Sequence, residues 1–192
     1  MNKVSILGFA GSLRKGSFNK AILRAATELL PENATLEIFD LEGIPVFNQD
    51  LEGQPTQKVK EFKAMIKAAD AILIATPEYN YSIPGVLKNA IDTASRPYGD
   101  NAFAGKPVAI MGASPSMLGT ARAQYHLRQS FVFLDVHTLN HPEVMVTFAG
   151  DKIDAEGRLI DPTAKALIAE LLKGLVDLAL KQKGYEKAAK AA

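Results

Sequence analysis

Short β-branched runs alternate with amphipathic stretches along the whole chain, and this alternation constrains the fold more than any other feature. The first run is Val4–Phe9, followed by a Gly/Ser loop, Ala10–Gly16. Ser17 then reads as a helix N-cap, with Ile22, Leu23, Ala26, Leu29 and Leu30 recurring at helical spacing up to Pro31. Thr35–Phe39 alternates as a strand. Asp40–Gln57 is a long loop holding Pro45 and Pro55. Val59, Phe62, Ile66 and Ala69 form one helical face. Ala71–Ala75 is uniformly apolar, as a strand buried on both faces should be. After the polar-aromatic loop Thr76–Ile83, Pro84 suits the first turn of a helix reaching about Ser95. Val108–Met111 is the next strand, Gly112–Gly119 another Gly/Ser loop, Thr120–Phe133 a helix and Val136–Leu139 a strand. Asp161-Pro162 opens the last helix. Five strands alternating with five helices predict an α/β fold whose parallel sheet is covered on both faces.

No linker or repeat divides the 192 residues, so residues 1–183 read as one domain, and residues 184–192 as a frayed Ala/Lys-rich tail. The 22 Lys and Arg against 21 Asp and Glu lack the basic excess of a duplex-DNA binder. The absence of cysteine removes thiol nucleophiles, disulfides, iron–sulfur clusters and Cys-based zinc sites together. No stretch reaches the roughly 18 apolar residues of a membrane span. The apolar start reads as a buried strand rather than a signal peptide, and a cytoplasmic location is expected.

Open parallel sheets bind ligands beyond the carboxyl ends of their strands, where the strand order switches. The loops after the first, third and fourth strands are also the ones of unusual composition. In the first, Gly11-Ser12-Leu-Arg14-Lys15-Gly16-Ser17-Phe-Asn19 feeds a helix N-terminus, where free N–H groups and the positive helix end favour an anion. Ser12, Ser17 and Asn19 add short donors, and Arg14 and Lys15 add charge. The P-loop pattern fails because Ser17-Phe18 stands where Lys-Ser/Thr is required. The dinucleotide pattern fails because Ala10 replaces its second glycine, leaving Asp40 alone as a ribose partner. A hydroxyl-rich loop suits a terminal monophosphate. A capped helix with nothing bound would use the same residues.

In Thr76-Pro77-Glu78-Tyr79-Asn80-Tyr81-Ser82-Ile83-Pro84-Gly85, prolines stiffen the loop and tyrosines offer a flat wall with a polar tip. A flavin ring fits such a loop, and the helix N-terminus at Pro84–Gly85 suits the negative charge of the reduced ring. The competing reading is a rigid turn whose tyrosines pack on a neighbouring subunit.

Together the two segments, the second continuing Val-Leu-Lys-Asn89-Ala-Ile-Asp92, resemble the NADPH-dependent FMN reductase family, which includes quinone, azo-dye and chromate reductases. The resemblance runs from about Lys3 to Leu180. It implies a flavodoxin-like three-layer sandwich with a five-stranded parallel sheet and an oxidoreductase using FMN, with NADPH or NADH as co-substrate. It assigns the FMN phosphate to Ser12, Arg14, Ser17 and Asn19, with Phe18 beside them. It assigns the ring to Pro77, Glu78, Tyr79, Asn80 and Tyr81, largely through main chain, and the third loop to Ser114 and Gly119. No side chain is then a catalytic acid or base, because the flavin N5 carries the hydride.

It further implies ping-pong transfer to quinones, free flavin, azo compounds or oxidised metal ions, in a homodimer or homotetramer. Arg122, Tyr125 and Arg128, joined by Glu143 and Tyr81, are candidates for the subunit seam. A non-catalytic flavodoxin-type carrier is the rival, although such carriers are typically acidic. A flavin-binding regulator is a third reading. Gly112-Ala-Ser114-Pro-Ser116 lacks the final glycine of a hydrolase elbow. His126, His137 and His141 do not form a metal-ligand pattern, and no metal, nucleic-acid or membrane partner is expected.

Overall fold

The computed structural model describes residues 3–191, with side chains from residue 3 to residue 184. Its strands are β1 (Val4–Ala10), β2 (Ala34–Phe39), β3 (Ala71–Ala75), β4 (Pro107–Ala113), β5 (His137–Thr138) and β6 (Val144–Val146). Its helices are α1 (Phe18–Glu28), α2 (Gln57–Ala68), α3 (Gly85–Ala94), α4 (Ala121–Phe133), α5 (Ala149–Lys152) and α6 (Pro162–Ala191). The expected α/β sandwich forms. The strand order is β2-β1-β3-β4-β5, and every pairing is parallel.

Strand alternation sorts the core into two layers. Leu73, Met111 and Ala113 point to one face and pack with Ile22, Leu23, Ile168 and Leu172 of α1 and α6. Ile72, Ile74 and Ile110 point to the other and pack with Phe62, Leu87, Ile91, Leu127 and Phe131 of α2, α3 and α4. Phe62 stacks on Phe39 at 4.9 Å and meets the Phe9 ring edge-on at 5.3 Å, which seats α2 on the first two strands.

The fifth strand position differs from the continuous Val136–Leu139 run expected. It is filled in two pieces: β5 pairs with Pro107 and Val108, and β6 with Met111–Ala113. The chain leaves the sheet between them at His141-Pro142, where proline has no N–H to give the ladder. Arg128 Nη1 holds this excursion through the Leu139 carbonyl and Asn140 Oδ1, each at 3.0 Å. The short α5 has no counterpart in the sequence reading. The backbone of α6 continues to Ala191, and the side chains of residues 185–192, which hold most of the expected tail, lie outside the described residues. Among the described residues no helix is long and apolar enough to cross a membrane.

Candidate functional site

Parallel strands deliver the loops after β1, β3 and β4 to one edge of the sheet, and the order reverses between β1 and β3. Hydrogen bonds tie the three loops together. The Ser12 and Tyr79 hydroxyls lie 3.3 Å apart, joining the first loop to the second. Asn19 bridges to the third: its Nδ2 donates to the Ala113 carbonyl and its Oδ1 accepts the Ala113 N–H, both at 2.9 Å.

The first loop ends in the cap the sequence predicts. Ser17 Oγ accepts the N–H groups of Asn19 at 3.2 Å and Lys20 at 3.4 Å. Its own hydroxyl proton is left for an incoming acceptor. The N–H groups of Ser12, Leu13 and Phe18 have no acceptor among the described residues. Ser12 and Ser17 are themselves buried, so these donors sit in a recess rather than on open surface. The Arg14 guanidinium lies over the Phe18 ring, 5.5 Å from its centroid, which uses Phe18 to hold the charge beside the loop. Helix N-terminus, unpaired N–H groups, a hydroxyl and a nearby cation together fit a phosphate monoester. Asn19 pairs its carboxamide with Ala113, which positions the loop, and its second Nδ2 hydrogen is left for a ligand.

In the second loop Tyr79 and Ser82 exchange backbone hydrogen bonds of 3.2 and 3.0 Å. Asn80 and Tyr81 between them both have positive φ, 49° and 68°. That is the requirement of a type I′ turn, and an unusual conformation for tyrosine. The turn presents Tyr79, Asn80 and Tyr81 outward as a stiff ledge beside buried Pro77. Glu78 points the other way. Its buried carboxylate accepts the N–H groups of Arg122 and Ala123 at 3.0 and 3.1 Å, capping α4, and pairs with the Arg122 guanidinium. The hydrogen bond to Glu78 raises the Arg122 pKa further above its ordinary value. The same guanidinium stacks on the Tyr81 ring at 3.5 Å, so one arginine braces both ends of the loop. The Glu78 side chain therefore supports the loop from the α4 side.

The third loop is set by close approach. A Cβ on Gly112 would fall 1.8 Å from Thr120 Oγ1 and 2.5 Å from the Thr76 carbonyl, so only glycine fits between the loops here. Gly119, at φ +57°, rests against Met145. Ser114 Oγ meets Ser116 Oγ at 3.1 Å.

Two residues at this edge take roles that the sequence does not suggest. Arg122, expected only at the subunit seam, acts through Glu78, which is distant in sequence. Phe148 adopts a left-handed conformation without being Gly or Asn, and its N–H donates to the Ser116 carbonyl at 3.3 Å. Its half-exposed ring rims the third loop. His126 Nδ1 meets Ser82 Oγ of the second loop at 2.9 Å, and His137 lies in β5.

Residues 4–151 match the family described as NADPH-dependent FMN reductase. The chain is 55% identical over 174 residues to an NAD(P)H-dependent FMN reductase of Pseudomonas aeruginosa, covering 90% of this chain and 93% of that one. It is 44% identical over 188 residues to an NAD(P)H:quinone oxidoreductase of Solanum tuberosum, covering 94% and 95%. Its fold is similar to that of the flavoenzyme NAD(P)H:(acceptor) oxidoreductase of Paracoccus denitrificans. The TM-score is 0.85 at 32% identity, covering 93% of this chain and 98% of that one.

Proposed function

Because this chain belongs to the NADPH-dependent FMN reductase family, we propose that it is an FMN-dependent NAD(P)H oxidoreductase that reduces quinones and related acceptors. The observation that carries this reading is the buried α1 N-terminus, with the Ser17 hydroxyl proton and the Ser12, Leu13 and Phe18 N–H groups all unclaimed. FMN, when bound, supplies hydride chemistry, accepting from NADPH or NADH and delivering to the acceptor.

The residues of the chain bind and orient. Ser12, Ser17 and the loop N–H groups hold the phosphate, and Arg14 offsets its charge. Pro77, Tyr79, Asn80 and Tyr81 border the ring, with their backbone held by the type I′ turn. Ser114 and Gly119 flank it from the third loop. Glu78, Asn19 and Arg122 keep the three loops in register. No side chain here needs to move a proton. The electrostatic work falls to N–H groups that are oriented before the ligand arrives. In this reading nucleotide and acceptor take turns at one face of the flavin, which is ping-pong turnover. Quinones, free flavin, azo compounds and oxidised metal ions are the acceptor classes. A flavodoxin-type carrier would bind FMN in the same loops but accept hydride from nicotinamide only slowly.

The same reading includes a homodimer or homotetramer. It is supported by Val132 and Phe133 at the end of α4, each 82% exposed, with Tyr98 at 77%. Tyr125 adds a polar seam element, donating to Glu143 at 3.2 Å. A cytoplasmic location belongs to this reading as well. Val4–Ala10, the one run near the start suggestive of export, is a core strand.

Titrating FMN into the flavin-free chain tests the assignment. Saturable quenching of FMN fluorescence at one equivalent is expected. A chain that neither carries nor takes up FMN would contradict it.

A further inference from the structure

The connection between β2 and α2, residues 40–56, takes no part in the flavin loops. It exceeds the roughly 12–15 residues beyond which a loop is ordinarily functional or disordered. Here it is ordered as a strap. Asn89 of α3 donates to the Pro45 carbonyl and accepts the Phe47 N–H, both at 2.8 Å. Arg96 clamps Glu52 with two hydrogen bonds of 2.9 and 3.2 Å. Thr56 then caps α2.

Beneath the strap lies a cleft of about 430 Å³, walled by α2 and the end of α3. That is within the range of roughly 300–1,000 Å³ typical of small-molecule sites. It shares no lining residue with the flavin loops. Val46, Leu51, Pro55, Val59 and Ala64 make its walls apolar.

The polar groups in it are cationic in excess. Lys60, Lys63 and Lys67 follow one face of α2. Glu52 neutralises Arg96. Lys63 and Lys67 share the single carboxylate of Asp100, whose pKa their hydrogen bonds lower. Lys60 has no acidic partner among the described residues. Thr93 of α3 also lines the cleft.

We propose that this cleft is a second binding site, for a small organic monocarboxylate with an apolar body. The carboxylate lies against the α2 lysines, and the body lies along Val46, Leu51 and Val59. The charge excess selects this occupant over a neutral one. The cleft volume of about 430 Å³ suits a small molecule.

Octanoate and 1-octanol are matched probes, alike in body and different in charge. The test is titration of the ¹⁵N-labelled full chain with each, in excess FMN so that the flavin loops are filled, following amide shifts. Octanoate is expected to give saturable shifts confined to the strap, residues 59–67 and residues 93–97. Octanol should bind about threefold or more weakly. Lys60→Glu should weaken octanoate while leaving octanol unchanged. Four results would overturn the proposal: no saturable shift, shifts centred on the flavin loops, equal binding of the two probes, or self-association of the chain that buries the strap and abolishes the shifts. None of these readouts depends on redox activity, so failure here is separable from failure of the flavin assignment.

Discussion

The carboxylate of Glu78 accepts the backbone N–H of Arg122 at 3.0 Å, so the loop after β3 is built into the start of helix α4. An anionic cap on a helix N-terminus satisfies orphan donors and meets the positive helix end. The same loop carries the type I′ turn that borders the proposed flavin ring. The geometry of the ring site is thus held by a contact that faces away from it.

Glu78→Ala removes the cap, the ion pair with Arg122 and the brace under Tyr81. A buried capping carboxylate lost in this way costs about 1–3 kcal/mol. For a chain of this size that lowers Tm by roughly 3–10 °C. Calorimetry of the variant checks it. FMN affinity should fall with stability, and an unchanged Tm would show that the cap contributes nothing.

Ser17 is given two tasks, and substitutions can separate them. Ser17→Asp keeps an acceptor for the Asn19 and Lys20 N–H groups, so Tm should stay near that of the parent chain. It places a negative charge where the phosphate binds, so FMN binding should fall by at least about tenfold. Ser17→Ala should lose about 1 kcal/mol of stability and weaken FMN as well. Equilibrium dialysis with FMN reads the binding arm. Retained FMN affinity in Ser17→Asp would place the phosphate elsewhere.

Asn19 is expected to act through Ala113. Asn19→Ala leaves the buried Ala113 N–H and carbonyl without partners, at a cost of about 1–3 kcal/mol. The variant should therefore be less stable than Ser17→Ala, measured by urea unfolding. A variant of parental stability that binds FMN weakly would instead show direct contact with the phosphate.

Gly112→Ala should be among the most damaging single changes at the site. The added methyl would overlap Thr120 Oγ1 and the Thr76 carbonyl, and backbone oxygen cannot swing aside. Expression as soluble chain and the thermal midpoint are the readouts. A parental Tm would mean that the loops tolerate separation.

Acid should weaken the contact between α2 and the end of α3. Hydrogen bonds from Lys63 and Lys67 hold the Asp100 carboxyl below its ordinary pKa. A depressed carboxyl contributes stability in full above its unfolded pKa of about 3.9, and that stability is lost as pH falls through the lower native value. Asp100 is nearly half exposed, so the effect is small. Urea unfolding at pH 6 and pH 3 should show a smaller acid loss in Asp100→Asn than in the parent chain. An equal loss in both would remove Asp100 from the acid response.

The local features of this fold are legible in its sequence because their causes are local. Ser17 announces its helix through its own cap, and Ala71–Ala75 announces a central strand through its uniform apolarity. The phosphate loop follows from these two signals, since a strand, a Gly/Ser turn and a capped helix suffice to make it. What the sequence does not display are partnerships between distant residues. Glu78 reads as part of the ring loop until α4 is seen packed beside it. Asn19 reads as a phosphate donor, and only the fold shows that it also bridges to Ala113 of β4. The divided fifth strand is hidden for another reason. Its two pieces are too short for alternation to show, and their common place depends on the length of β4. Phe148 gives no sign of its left-handed backbone, because neither glycine nor asparagine marks it.

The central claim is that electrons pass from a nicotinamide nucleotide to an acceptor through FMN held in these three loops. Anaerobic stopped-flow absorbance measures it directly. The FMN-loaded chain is mixed with NADPH or NADH, and then with a quinone. The account predicts that the absorbance near 450 nm bleaches within the turnover time on nucleotide alone and returns when quinone is added. Ser17→Asp should show neither phase. Bound flavin that bleaches far more slowly than steady-state turnover, or that bleaches equally well in Ser17→Asp, would contradict it.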